Sequence, residues 1–395
     1  MLMTFLYCTQ ALADDFILQV SEEIDLELGG TWAIPIHDGY RWWMGMGQAS
    51  DLWVAPLYDA NWYVEMPLTK NLSNRGDLFD HSIRRCPDGS YLHVATAQLQ
   101  GQESVPNYIF RYDENFDMFS SNTFAQGTPA HANNDIPVIC GEYFQGFAIA
   151  QAQGRQDFFV ETDRECNTRE AIELPDAPRM TGAGLWEENG QLITVGMDPG
   201  PDLTVSVYDT DFVLQNRYSI APFAENIIHY WPSRIVKLGY YYIIATMGRD
   251  PSVQFPLDTG DMYLVVVDEN FQTKQWVQIS ENDPNVTGGM RPWFDIHDDQ
   301  LLLGYDKHNS LYLYEVILNT ELFATDPNVT EPSTEPSTEP STEPSTEPSS
   351  EPDTTKDTGC KSKEAFALPF PLFLLWLTGV FRRAETPKAQ HPSRK

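Results

Sequence analysis

Asp80 and Asp135, with Glu187 as a further candidate, could bring carboxylates from different segments of the chain to one place. Paired carboxylates are what glycoside hydrolysis needs, one to protonate the leaving oxygen and one to attack or to activate water. Around them fall His81, Asn134, His229, Tyr230, Trp231, Arg291 and Trp293, a polar set with aromatic walls. Such a composition suits a pocket for a carbohydrate or a peptide, and it is equally what a solvated funnel would show. The residues alone therefore assign no catalytic group.

Other chemistries have less support. His37-Asp38 and His297-Asp298-Asp299 read as solvated polar turns, and acidic turns such as Asp113-Glu114-Asn115 carry oxygen donors that would suit calcium. Their spacing matches no calcium loop, so no metal or other cofactor is expected, calcium being the one cation considered. There is no P-loop, no G-x-G-x-x-G after a strand, no G-x-S-x-G and no Cys-x-x-Cys.

The elements that must position these residues repeat along the chain. An aromatic or β-branched run, an acidic turn and a second run recur as NYIFRYDENFDMF, TVSVYDTDFVLQNRYSI and MYLVVVDENFQTKQWVQI. Asp59, Asp113, Asp163, Asp209 and Asp268 mark the turns, 54, 50, 46 and 59 residues apart. Before each lies a second hairpin, as in TWAIPIHDGYRWWMGMG, HSIRRCPDGSYLHVATA, GLWEENGQLITVG and WPSRIVKLGYYYIIAT. Its Asp-Gly and Asn-Gly turns tolerate the positive φ of a tight connection. Two hairpins per unit make four antiparallel strands, one blade of a β-propeller. No segment of 14–325 holds a helical period over three turns, so the predicted fold is all-β with six blades. The segment 16–30 looks like the outer half of a blade, and the last unit looks compressed. An N-terminal strand completing the C-terminal blade explains both and hides a sheet edge; the rival is a partial seventh blade. The site candidates then surround one mouth of the central channel, where the inner strands begin.

Cys86, Cys140 and Cys166 lie in this domain. Cys86 and Cys140 hold equivalent places in adjacent blades. The bridge considered is Cys140 to Cys166 within one blade, but inner and outer turns stand too far apart for it, so free buried thiols are expected.

The flanks read as export signals. Met1 to Ala13 is a short apolar stretch ending in Ala11-Leu12-Ala13, a signal-peptidase pattern with cleavage after Ala13. From residue 326 to 357 a Thr-Glu-Pro-Ser repeat places proline and charge in every unit, so it forms an extended, self-repelling stalk. Residues 358–383 hold Gly359-Cys360, the apolar run Ala365 to Phe381 and Arg382-Arg383, and a basic tail fills 384–395. This order of cysteine motif, apolar segment and arginines after a low-complexity linker resembles the C-terminal sorting signals of bacterial surface proteins, most closely the MYXO-CTERM type. The resemblance implies processing near Cys360 by a sorting protease and delivery to the outer surface, with at least transient membrane anchoring. A plain stop-transfer anchor is the alternative.

A formal charge of -32 argues against nucleic acid and against anionic lipid as partners. The expected function is recognition of a glycan or protein partner at the cell surface, the alternative being an extracellular glycan-active enzyme. Some blade phrases look like those of propeller glycosidases, but the S-x-D-x-G-x-x-W box of sialidases is absent and no arginine triad can be placed.

Overall fold

The chain begins with β1 (Ile17–Val20) and β2 (Ile24–Gly29), two short strands whose partner is β26, at the other end of the fold. The computed structural model describes residues 15–48, 51–58, 62–64, 70–71, 78–97, 107–124, 136–150, 157–176, 179–197, 200–250, 252, 260–280, 292–307 and 310–327. They fall within the first of two units, Met1–Ser333 and Thr334–Lys395. The export stretch with Ala13, the stalk from residue 328 onward, and the sorting segment with Cys360 lie outside the described residues.

Six antiparallel sheets follow one another along the chain. Blade 1 is β3 (Thr31–His37), β4 (Trp42–Gln48) and β5 (Asp51–Tyr58), with an outer edge divided between β6 (Tyr63–Val64) and β7 (Lys70–Asn71). Blade 2 is β8 (Leu78–Arg85), β9 (Tyr91–Ala97), β10 (Asn107–Tyr112) and β11 (Met118–Phe124). Blade 3 is β12 (Val138–Cys140), β13 (Gln145–Ala150), β14 (Asp157–Glu161) and β15 (Ile172–Leu174). Blade 4 is β16 (Arg179–Glu188), β17 (Gln191–Met197), β18 (Leu203–Tyr208) and β19 (Leu214–Ile220), and blade 5 is β20 (Ile228–Leu238), β21 (Tyr241–Arg249), β22 (Asp261–Asp268) and β23 (Thr273–Gln278). Blade 6 takes β24 (Trp293–His297), β25 (Gln300–Lys307) and β26 (Ser310–Leu318) from the end of the domain and its outer strand from β1 and β2. Val20 faces Val316 and Ile24 faces Leu313 in that closure, so the propeller has six blades and no partial seventh. A single-turn helix, α1 (Thr320–Phe323), follows.

The hydrophobic pattern accounts for this packing. Because strand side chains alternate in direction, a central strand between two neighbouring blades must be apolar on both faces. β10, β18 and β21 are buried along almost their whole length, whereas outer strand β11 is almost wholly exposed. In β9, Tyr91 and Ala95 join a cluster with blade 1, while Leu92 and Val94 join one with blade 3. Six such clusters fill the six gaps between successive blades.

The acidic turns are built from one device. Asp113, Asp209 and Asp268 each accept the backbone N–H groups two and four residues ahead, at 2.9 to 3.0 Å. The residue three ahead, Phe116, Phe212 or Phe271, then turns left-handed and drops its ring into the gap between blades. Trp62 and Cys166 hold the same left-handed place in blades 1 and 3. These carboxylate oxygens are engaged by their own turns, and among the described residues no group of three His, Cys, Asp or Glu side chains could hold a metal ion.

Cysteine pairing differs from expectation. Cys86 and Cys140 form a disulfide with Cα atoms 4.9 Å apart, and Cys166 is the free, buried thiol. Equivalent ends of inner strands converge around the channel, so the bridge ties blade 2 to blade 3, while Cys166 stays at the outer turn. Buried Arg111 donates to both sulfurs, at 2.8 and 3.1 Å, and to Gln145 Oε1 at 2.7 Å.

Candidate functional site

Where the inner strands end and turn, all six contribute to one cavity of about 470 Å3. Ile36 and His37 come from β3, Ile83, Arg84 and Arg85 from β8, Cys140 from β12 and Trp186 from β16. Arg234 and Val236 come from β20, and Asp295, Ile296 and His297 from β24. The strands reach it through irregular pairing: register breaks lie between Tyr230 and Arg234 in β20 and between Arg179 and Gly184 in β16. Such bulges re-aim the side chains that follow them. Gly184 is needed there, since a Cβ would stand 3.0 Å from the Arg234 backbone carbon.

The charges are unevenly matched. Arg234, only 7% exposed, donates from Nη2 to Asp295 Oδ1 at 2.9 Å, and its Nε has no partner among the described residues. Asp295 Oδ2 accepts the His37 backbone N–H at 2.9 Å, so this carboxylate joins blades 1, 5 and 6. Arg84 makes no hydrogen bond or ion pair among the described residues; its guanidinium carbon lies 5.5 Å from the Trp186 ring. Burial, reinforced by neighbouring Arg234 and opposed by Asp295, brings its pKa down to about 9. Burial also lowers that of Arg234, against the pull of Asp295. Arg85 lines the same space. Three guanidiniums therefore face one carboxylate, in a chain whose net charge is strongly negative.

Two imidazoles stack at the edge. The His37 and His297 rings lie 3.5 Å apart at 15°. Burial and His297 lower the His37 pKa, and His37 Nδ1 accepts the Gly39 N–H at 3.1 Å, which leaves its proton on Nε2. Asp38, beside it, is engaged by the Tyr40 and Arg41 N–H groups and by Trp43 Nε1. The arrangement can hold an anion. Asp295 is the one carboxylate among the described lining residues, and it is already engaged twice.

Of the residues singled out from sequence, His81, His229 and Trp293 lie toward the opposite ends of their inner strands, whereas Glu187 follows cavity-lining Trp186. Asn134, Asp135 and Arg291 fall outside the described residues, as do the side chains of Asp80, Tyr230 and Trp231. His81, His229 and Trp293 are each more than nine-tenths buried between blades. His81 packs near Trp32 and His93, and His229 stacks on Trp276 at 4.4 Å while its Nε2 accepts the Phe223 N–H. Glu187 spends both oxygens on the backbone N–H groups of Glu142, Tyr143 and Phe144, fastening blade 4 to the inner turn of blade 3. Sequence reasoning missed Arg84, Arg234, Asp295 and Trp186, which the structure brings to one cavity. The signal was present in the segments SIRRC and SRIVK: a charged side chain on an innermost strand must face the channel or find a partner.

No family model matches the chain, and no curated protein does. Among solved structures, a Penicillium chrysogenum alpha-L-arabinanase complexed with arabinobiose aligns at a TM-score of 0.50 with 9% identity, over 76% of this chain and 98% of that one. A subtype N10 neuraminidase-like protein of A/little yellow-shouldered bat aligns at 0.46 with 10% identity, over 75% and 98%. A Synechocystis apocarotenoid oxygenase mutant aligns at 0.41 with 12% identity, over 73% and 71%. The likeness is one of fold, the six-bladed propeller, and fold does not carry chemistry with it.

Proposed function

We propose that the propeller is a recognition module that binds a glycan or protein partner outside the cytoplasm, with the central cavity as its principal contact. The supporting observation is that this cavity has contributions from all six inner strands yet, among the described residues, only one carboxylate, held by Arg234 and the His37 N–H. Glycoside hydrolysis by the usual route needs two carboxyl groups, whereas a binding site needs preformed walls and a few aimed polar groups. Cell-surface display is part of the reading and rests on the sequence: the Ala13 cleavage pattern, the Thr-Glu-Pro-Ser stalk, and the Cys360, apolar and arginine order of the tail. A rigid disc on a flexible stalk suits capture at a distance.

The test is an oligosaccharide array scored for both retention and release of reducing ends. Retention without release is expected. Release that Asp80→Ala or Asp135→Ala abolishes would establish the enzyme instead, and capture of an envelope protein that Trp186→Ala weakens would make the partner a protein.

A further inference from the structure

We infer that the cavity takes the carboxylate of an acidic saccharide, with the guanidiniums of Arg84 and Arg234 as its ligands. This rests on the recognition reading above and specifies what that site selects.

Charge carries the first step. Buried Arg234 and half-buried Arg84 bring two positive charges to one cavity, and among the described residues Asp295 pairs with Arg234 alone. A partly desolvated charge without a counter-charge favours an incoming anion, and among the described residues no group supplies the missing one. The depressed pKa of Arg84 expresses the same imbalance. An anion supplies the missing charge, and with Arg85 also lining the space the choice among anions rests on shape rather than on charge. Arg85 lines the cavity beside them, where its guanidinium would lie 3.5 Å from a Cβ placed on Gly39.

Geometry carries the second. A guanidinium presents a planar fork of donors that matches a carboxylate in two parallel hydrogen bonds. Arg234 already spends Nη2 on Asp295 while its Nε is unpartnered, and Arg84 spends none of its donors on any described residue. The rest of the wall is apolar, from Ile36, Ile83, Val236 and Ile296, with the Trp186 ring beside Arg84.

Size and rim favour a saccharide over an acidic side chain. The cavity volume lies within the range of small-ligand sites, and one aspartate or glutamate would leave most of it empty. At the mouth, the inner turns of blades 1 and 3 expose Tyr40 (95%) and Tyr143 (58%). Rings exposed to this degree are available to stack on sugar faces.

The experiment is calorimetric titration of the whole chain with oligogalacturonate, oligoglucuronate and sialyllactose, each beside its methyl ester, and with a sulfated neutral oligosaccharide. At least one free acid is expected to bind, esterification to weaken it tenfold or more, and Arg84→Met to do the same without lowering the melting temperature, since Arg84 leaves no partner behind. Arg84→Gln serves as a second, polar variant should the first fail to fold. Equal binding of ester and acid, or indifference to both Arg84 variants, overturns the inference. Arg84-dependent binding of the sulfated sugar in place of the acids overturns the carboxylate in favour of sulfate. Neutral sugars that bind and are lost in Trp186→Ala would leave the recognition reading standing without its acidic ligand; if no saccharide binds and Trp186→Ala also leaves every captured envelope protein in place, both readings fall.

Discussion

Asp295 faces Arg234 at 2.9 Å, and through its other oxygen it holds the His37 backbone N–H at the same distance. One carboxylate thus joins three blades at the channel and partly neutralises a buried guanidinium. Removing one member of a buried pair strands the other, at a cost of roughly 3 to 5 kcal/mol, whereas replacing both with apolar groups of similar volume is close to neutral. Asp295→Ala is predicted to fall in that range, and Arg234→Met combined with Asp295→Leu to recover most of it. Urea unfolding of the two single variants and the double variant measures the coupling. Additive losses in the double variant would show that the pair does not act as a unit.

Acid should destabilise the domain through its buried histidines. Burial holds His81 at about 3 and His229 at about 4, well under the ordinary 6.5, and drives His93 well below it too. These groups stay neutral in the folded state while the unfolded chain takes up protons, so stability is lost as pH falls from 6.5 toward 3. His81 alone accounts for on the order of 4 kcal/mol by pH 3. Asp38, Asp88, Asp163 and Asp268, whose pKa values lie below 3.8, add a loss only at the acid end of that window. Unfolding free energy measured against pH should slope upward between pH 4 and 6, and His81→Phe should flatten the slope by up to one proton.

The Cys86–Cys140 bridge closes a loop with a sequence separation of 54. By loop-closure entropy, reduction is predicted to cost about 4 kcal/mol, less any structure retained in the unfolded chain. Peptide mapping without reduction should recover Cys86 and Cys140 cross-linked. Cys166, whose thiol is buried and whose pKa is raised by that burial, should alkylate only after unfolding. Early alkylation of Cys166, or a Cys140 to Cys166 peptide, would contradict the pairing.

The blades were legible because their signals are local. An Asp followed three residues later by a buried residue marks the outer hairpins of blades 1 to 5, and Asn189-Gly190 adopts the positive φ that its dipeptide predicts. The cavity was not legible, because its charges come from residues such as Arg84, Arg234 and Asp295, which meet only when the ring closes. Glu187 shows the converse failure. Its type and place invited a catalytic role, but nothing local reveals that its carboxylate would meet three N–H groups about 45 residues upstream. The disulfide followed from an equivalence visible in the sequence, but proximity around the channel is a property of the whole ring.

Closure supplies the last prediction. β26 has β25 on one side, and on the other it depends on β1 and β2, which also place Ile17 and Leu26 in the clusters on either side of blade 6. Ser21 N–H bonds Glu315 O at 2.8 Å and Asn319 N–H bonds Phe16 O at 2.9 Å, so the strand pair is fastened along its length. Deleting residues 16–29 would remove both apolar side chains, uncover the clusters they pack into on either side of blade 6, and leave β26 with an open edge, which is a template for pairing with another chain. The truncated protein is predicted to melt at a lower temperature and to associate as its concentration rises. A peptide of residues 15–30 added in excess should restore the melting temperature by strand addition. An unchanged melting temperature in the truncated chain would mean that blade 6 is complete without its N-terminal strands.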